Sequence, residues 1–433
     1  MKNMGKLIVL YGLMASFMAA GCAKEQGGAP SKGEKASNEP VTIRMYHSGG
    51  NISDDEFEAY FINPVAPKYP HITLELVRNI KGQSPEELLG SNSFPDSIYT
   101  SNPNIPYFQG LDVLDDLTPF VQKYGMDLGR FQSEMTNLMK LYDSNKLLGL
   151  PITANVSALI YNKDIFDKFA VEYPKDGMNW DEAVQLGKRV ARSEAGISYI
   201  GIDPWRVDAA GQQMSLPLVD PKTNKATIVS DGWKRVLGVF KDAADIPGYV
   251  FKADYDFFKD NIAMTTTWAT DVATVAKSKD QSVYGQKNWD LATLPGFQGF
   301  EGKGRGVDSH LLALSRTSKH KDEAFKVMME VVSDEVQISM AKSGRISPLK
   351  DASFKNNYLQ DYPAIKNSKN LQALFQTTPA PLPPPSKYEG IARTVIRNMK
   401  KKVAVDKLDI NTVLREAQEE ADKAIEAELQ KTK

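Results

Sequence analysis

An α/β body is the fold class this sequence predicts, and three observations point to it. First, Val41-Thr42-Ile43-Arg44-Met45-Tyr46 alternates, with Val41, Ile43 and Met45 on one face, as a strand does. Second, a polar, glycine-rich turn (His47-Ser48-Gly49-Gly50) separates it from a helix start, where Ser53 is followed three residues on by Glu56; Ile72-Thr73-Leu74-Glu75-Leu76-Val77 then reads as the next strand. Strand, helix, strand in that order is the βαβ unit of a parallel sheet. Third, Cys22 is the only cysteine in 433 residues, so stability must come from a buried core and not from disulfides. That length allows two or three domains of ~100–200 residues. The composition, 42% hydrophobic and 25% charged, is ordinary for a globular chain, and a formal net charge of −1 offers no broad basic field for nucleic acid.

The elements follow in order. Lys2 and Lys6 open the chain, Leu7 to Ala20 is apolar or small throughout, and Ala19-Ala20-Gly21-Cys22 closes the stretch. A positive start, an apolar centre and a small-residue cleavage site make residues 1–21 a secretory signal. Its apolar run is shorter than the ~20 residues a membrane-spanning helix needs. The stretch resembles the signal of a bacterial lipoprotein, cut before Cys22, with that cysteine acylated. A lipid on Cys22 would carry the two chains that stable anchoring takes. Ala23 to Pro40 has no aromatic and no large aliphatic residue, so 22–40 reads as the lipidated cysteine and a flexible tether.

Beyond the βαβ unit, Phe94-Pro95-Asp96 leads into a short strand, Ser97 to Tyr99, and a polar loop, Thr100 to Pro103. Leu111 to Leu117 and Phe131 to Leu141 carry helical or turn signals. Asn179 and Glu182 form a second capping box, before an apolar face of Trp180, Ala183, Val184 and Val190. Ser230 can cap a helix that places Trp233, Val236, Leu237 and Phe240 at helical spacing. Asn261 to Trp268 reads as a strand ending in a hydroxyl-rich turn. Thr377 to Pro385 must be extended, because proline fixes φ and lacks a donor. Asn411 can cap the last helix, whose buried stripe is Val413, Leu414, Ala417, Ala421, Ala424, Ile425 and Leu429. No internal repeat is visible.

Several segments, in order, carry a resemblance: the Phe94-Pro95-Asp96 strand entry, Asp116-Leu117-Thr118-Pro119-Phe120, Gly149-Leu150-Pro151, Tyr161-Asn162-Lys163-Asp164-Ile165-Phe166 and Asn179-Trp180-Asp181-Glu182-Ala183. Leu291 to Gly296, Gly306 to Leu314 and Lys321 to Phe325 continue the series. The set is similar to family 1 of the extracellular solute-binding proteins of ATP-binding-cassette importers. The resemblance implies a two-lobed, periplasmic-binding-protein-like (type II) fold with a hinge and a ligand cleft between the lobes. It implies crossings between lobes near Thr153–Tyr161, Val307–Leu311 and Ser343–Pro348. Lobe one would be 40–155 with 309–347, and lobe two 156–308 with 348–433.

A sugar offers hydroxyls and a weakly apolar C–H face, so its site needs an aromatic platform and planar polar groups. In the implied fold these lie on loops after strands. The expected ligand contacts are Tyr46, His47 and Ser48 after the first strand, and Thr100, Ser101 and Asn102 after the third. Asn155 lies at the first crossing, Asp308 and His310 at the second, and Arg345 at the third. Trp268 and Asp271 flank the hydroxyl-rich turn, and Trp205 sits in the turn-rich Asp203-Pro204-Trp205-Arg206. Trp180, Trp233 and Trp289 fall in periodic sequence and read as structural. Arg206, Arg305 and Arg345 leave room for an acidic sugar, since a guanidinium pairs well with a carboxylate.

Enzymatic readings find little support. The four histidines (His47, His71, His310, His320) lack metal-ligand spacing, and Gly196-Ile197-Ser198-Tyr199-Ile200-Gly201 misses a nucleophile elbow by one residue. The expectation is therefore a monomeric, lipid-anchored receptor on the extracellular face. It has no catalytic residue, metal or cofactor, and it hands an oligosaccharide or other small solute to the membrane subunits of an importer. The alternatives are a ligand-binding lipoprotein for sensing or adhesion, and a surface carbohydrate-active enzyme.

Overall fold

The computed structural model describes residues 39–279 and 281–431; the expected secretory signal, Cys22 and the expected tether up to residue 38 lie outside the described residues. The chain lays down β1 (Val41–Ser48), β2 (Ile72–Arg78), β3 (Ser97–Ser101), β4 (Leu150–Pro151), β5 (Ser157–Asn162) and β6 (Arg192–Glu194). β7 (Ile197–Asp203), β8 (Ile262–Trp268), β9 (Trp289–Thr293), β10 (Lys303–Gly306), β11 (His310–Leu314) and β12 (Thr378–Ala380) follow. Among the described residues these form two five-stranded sheets, ordered β2-β1-β3-β11-β4 and β6-β7-β8-β5-β9, and a separate β10-β12 pair. Each large sheet is the centre of one lobe.

In the first sheet β1 runs parallel to β2 and β3, pairing Val41 with Ile72 and Tyr46 with Ile98. β11, from far along the chain, inserts antiparallel between β3 and β4. In the second sheet β7 and β8 are parallel, and β5 runs antiparallel between β8 and β9. β1 is covered on both faces. Ile43 and Met45 pack in the main core on one side, while Tyr46 packs on the other with Phe94 and Phe108.

Among the described residues the chain passes between the lobes at three places, and these passages lie side by side. Ala154 bridges to Ile346 and Asn155 bridges to Asp308, so the segments after β4, before β11 and after the helix Asp334–Lys342 form the hinge. Beyond it, Gln132 N–H donates to the Pro348 carbonyl and Lys350 N–H to that of Arg130, both at 2.9 Å, and Leu359 N–H donates to the Ala341 carbonyl at 3.0 Å.

Local signals explain the helices. The Ser53/Glu56, Ser84/Glu87 and Asn179/Glu182 capping boxes all form, and Ser230 caps Asp231–Ala244 through the Trp233 N–H. Trp180, Trp233 and Trp289 are core residues, 2%, 1% and 3% exposed. Between Asp54 and Lys68 the helix widens into a π-turn at Glu58–Ile62, which precedes Pro64 and lets the helix continue past a residue with no N–H. The last helix, Ile410–Lys431, starts one residue before Asn411. Asp409 Oδ1 accepts the Thr412 N–H at 3.0 Å, so Asp409 is the cap and Asn411 lies within the first turn. Its buried stripe is Val413, Leu414, Ala417, Ala421 and Ile425. The proline-rich stretch is extended and supplies β12, paired with β10 through Lys303 and Thr378.

Candidate functional site: the cleft between the lobes

A cavity of about 870 Å³ opens between the two lobes beside the hinge. Lobe one contributes Gly50, Asn51 and Ser53 from the turn after β1, and Asp55, Glu56, Ala59 and Tyr60 from the helix that follows. The helix Ala269–Lys277, directly after β8, faces them with Thr270, Asp271, Thr274 and Lys277. The hinge side carries Asn155, His310 and Ser343 to Arg345, and Tyr284 and Tyr362 add two further rings. Hydroxyls, carboxylates, cations and tyrosine faces thus line one space open to solvent, a mixture with the chemistry to hydrogen-bond a polyhydroxylated solute. Gly50 must be glycine: φ is +77°, and a Cβ there would stand 2.6 Å from the His310 ring.

Glu56 is the electrostatic centre of this space. Its carboxylate accepts from Arg345 Nε at 3.2 Å and Nη2 at 2.7 Å, and from Lys277 Nζ at 2.8 Å. Burial pushes this carboxyl up, but Arg345 and Lys277 outweigh burial and hold it down at about 2. His310 sits with Nδ1 2.7 Å from the Tyr99 hydroxyl; burial, then the charge of Arg345, drives its ring down to about 3, so it is neutral.

A second constellation lies in lobe two, outside the cavity's lining. Trp205 follows β7 and Trp268 ends β8, at the carboxyl ends of the two parallel strands. The Arg305 guanidinium stacks over both, 4.6 Å from the Trp205 ring centre and 4.8 Å from that of Trp268. Arg206 also lies over Trp205, at 4.3 Å. Asp271 Oδ2 accepts the Trp268 backbone N–H at 3.1 Å, which ties this cluster to the cavity wall.

The residues expected from sequence divide into three groups. Asn155, Asp271, His310 and Arg345 line the cavity. Trp205 and Trp268 stand beside it around Arg305, and Asp308 is held at the hinge by Asn155 Nδ2 at 3.0 Å. The rest serve the fold. Tyr46 is fully buried, with its hydroxyl donating to the Gln83 carbonyl at 3.0 Å, so its ring does not reach the cleft. Thr100 is fully buried and donates to the Ser48 carbonyl, which also accepts from Asn104. Asn102 accepts the Ser309 N–H at 2.9 Å and donates to the Val307 carbonyl, fastening the second passage to lobe one. His47 Nε2 bonds the Gly50 carbonyl at 2.7 Å, so its ring braces the turn whose tip lines the cavity. Ser48 and Ser101 are half-buried at the strand ends under that turn and do not line the cavity.

Sequence reasoning missed Glu56, Tyr60, Thr270, Thr274, Lys277, Tyr284 and Tyr362. Glu56 was legible only as a capping residue, and its Oε2 does accept the Ser53 N–H at 3.3 Å; the same carboxylate also meets Arg345 and Lys277, more than two hundred residues away. The tyrosines fall in segments with no signal beyond helical or turn pattern.

The fold and cleft define a solute-binding class, and comparison with known proteins agrees. The model of the bacterial extracellular solute-binding protein family matches residues 54–338, and the chain belongs to that family. These are binding proteins, not enzymes. A multiple sugar-binding protein of Streptococcus mutans is 32% identical over 84 residues, which span 19% of this chain and 19% of that protein. Among solved structures, an ABC substrate-binding protein from Listeria monocytogenes in complex with cycloalternan has a TM-score of 0.71 at 18% identity, covering 89% of this chain and 99% of its own. The sugar-binding protein MalE of Xanthomonas citri has a TM-score of 0.67 at 20% identity, covering 90% and 98%. At such identities the likeness speaks to the fold, here the maltose-binding-protein-like type II arrangement.

Proposed function

We propose that this protein is the extracellular receptor of an ATP-binding-cassette importer, that it takes an oligosaccharide, and that it hands the sugar to membrane permease subunits. The observation that carries the reading is the cavity between two hinged lobes, walled by hydroxyls and tyrosines from both. The sugar-binding relatives support the ligand class. In this reading lobe one is 40–155 with 309–347 and lobe two 156–308 with 348–433. The receptor is monomeric, and a lipid on Cys22, behind the tether of 22–40, holds it at the outer face of the membrane. Asn155, Asp271, His310, Arg345, Trp205 and Trp268 make the ligand-facing set.

A thermal-shift screen of the body from Ala23 onward, against neutral and acidic oligosaccharides, tests the reading. A ligand at ~100 times its dissociation constant stabilises the folded state by ~2.7 kcal/mol. A shift with one saccharide class, the sugar recovered intact, supports it; no shift with any saccharide overturns the ligand class. The anchor has its own test: Cys22→Ala should move the protein from the membrane fraction into the medium, and an unchanged membrane fraction would refute the lipid.

A further inference from the structure

Arg305 stands on β10, two residues before the second passage at Val307, and is 4% exposed. Nη2 donates to Thr266 Oγ1, while Nη1 has no hydrogen-bond partner among the described residues. Three other arginines are paired. Arg345 is paired with Glu56, Arg397 holds Asp208 through two 2.8 Å bonds, and Arg206 lies 3.7 Å from Asp254. The carboxylates nearest Arg305 are engaged elsewhere: Asp208 with Arg397, Asp308 with Asn155, and Asp271 with the Trp268 N–H. They face the guanidinium from a distance, and none forms an ion pair with it among the described residues. A buried guanidinium with an open N–H calls for an acceptor. A planar fork between two aromatic faces is suited to a carboxylate, and the indoles to a sugar's C–H face.

We propose that the ligand is an acidic saccharide and that Arg305 receives its carboxylate between Trp205 and Trp268. The inference rests on the oligosaccharide reading and narrows its class. Nη1 is covered in this structure, so the sugar reaches it by displacing an indole. Trp205 is the one placed to move: both indoles are half-buried, but the Trp205 backbone alone holds a positive φ, +75°, a conformation disfavoured for a side chain this bulky.

Calorimetry with trisaccharides of galacturonate, glucuronate and mannuronate, each beside its carboxyl-reduced partner, tests the assignment. At least one uronide should bind about tenfold more tightly than its reduced partner, and Arg305→Met should erase that preference. A thermal melt without ligand checks that the variant folds. If it does not, Arg305→Lys carries the test, since it keeps the charge and gives up the fork. It should weaken the uronide and spare the reduced sugar, and equal losses on both would overturn the assignment. Uronides that bind no better than their reduced partners, or a preference that survives Arg305→Met, would also overturn it. Binding of neutral saccharides alone would sink the inference and leave the saccharide reading standing; binding of no saccharide would sink both.

Discussion

Glu56 and Lys277 join the two lobes across the mouth of the cavity: Lys277 Nζ lies 2.8 Å from Glu56 Oε1, and Arg345 at the hinge holds the same carboxylate from behind. Glu56 belongs to the first turn of a lobe-one helix and Lys277 to the last turn of a lobe-two helix. Each therefore also sits at the helix end its charge favours.

Removing this bridge should loosen the ligand-free cleft. Lys277→Ala deletes a half-buried pair, a loss of about 1 kcal/mol, or roughly a fivefold shift toward open forms. Small-angle scattering should show a larger radius of gyration for Lys277→Ala without ligand, converging on the parent value when ligand is added. Identical ligand-free profiles would show that the bridge does not influence closure.

The same carboxylate sets a pH dependence. Its folded value of about 2 lies below the ordinary 4.5, so its stabilising contribution is complete above about 4.5 and is lost as pH falls toward 2. A melting series from pH 6 down to about 2.5 should therefore fall more steeply for the parent than for Glu56→Gln, which has no proton to take up. Parallel curves would remove Glu56 from the acid response.

Trp268 tests the aromatic wall. Trp268→Ala removes one of the two faces that flank Arg305 and should weaken ligand binding by about tenfold or more, with the melting temperature of the free protein little changed, because the ring is only half-buried. Unchanged affinity would take Trp268 out of the site.

Asp203 and Lys400 form the most deeply buried ion pair of lobe two, at 2.9 Å with side chains 0% and 6% exposed. Burial raises the Asp203 carboxyl to about 6 against the pull of Lys400. Lys400→Met alone leaves that carboxyl without its partner and should cost about 3–5 kcal/mol, while Asp203→Asn with Lys400→Met should recover most of it. Denaturant unfolding of the two variants decides the matter, and equal losses in both would refute the pairing argument.

The sequence by itself determined the first strands, the helix starts at Ser53, Asn179 and Ser230, and the family. Alternation in Val41–Tyr46, the Ser53/Glu56 and Asn179/Glu182 boxes and the extended Thr377–Pro385 are local, since each rests on hydrogen bonds or packing within a few residues. Only the tertiary structure decided which polar groups face the cleft. Tyr46 and Asn155 look equally available in sequence, yet β1 is covered on both faces and buries Tyr46, while the hinge turns Asn155 into the cavity. Glu56, Lys277 and Arg345 acquire a common role because folding brings charges from three distant segments within 3.2 Å. Burial and long-range pairing arise from how sheets and hinge assemble, and no window of neighbouring residues carries that information.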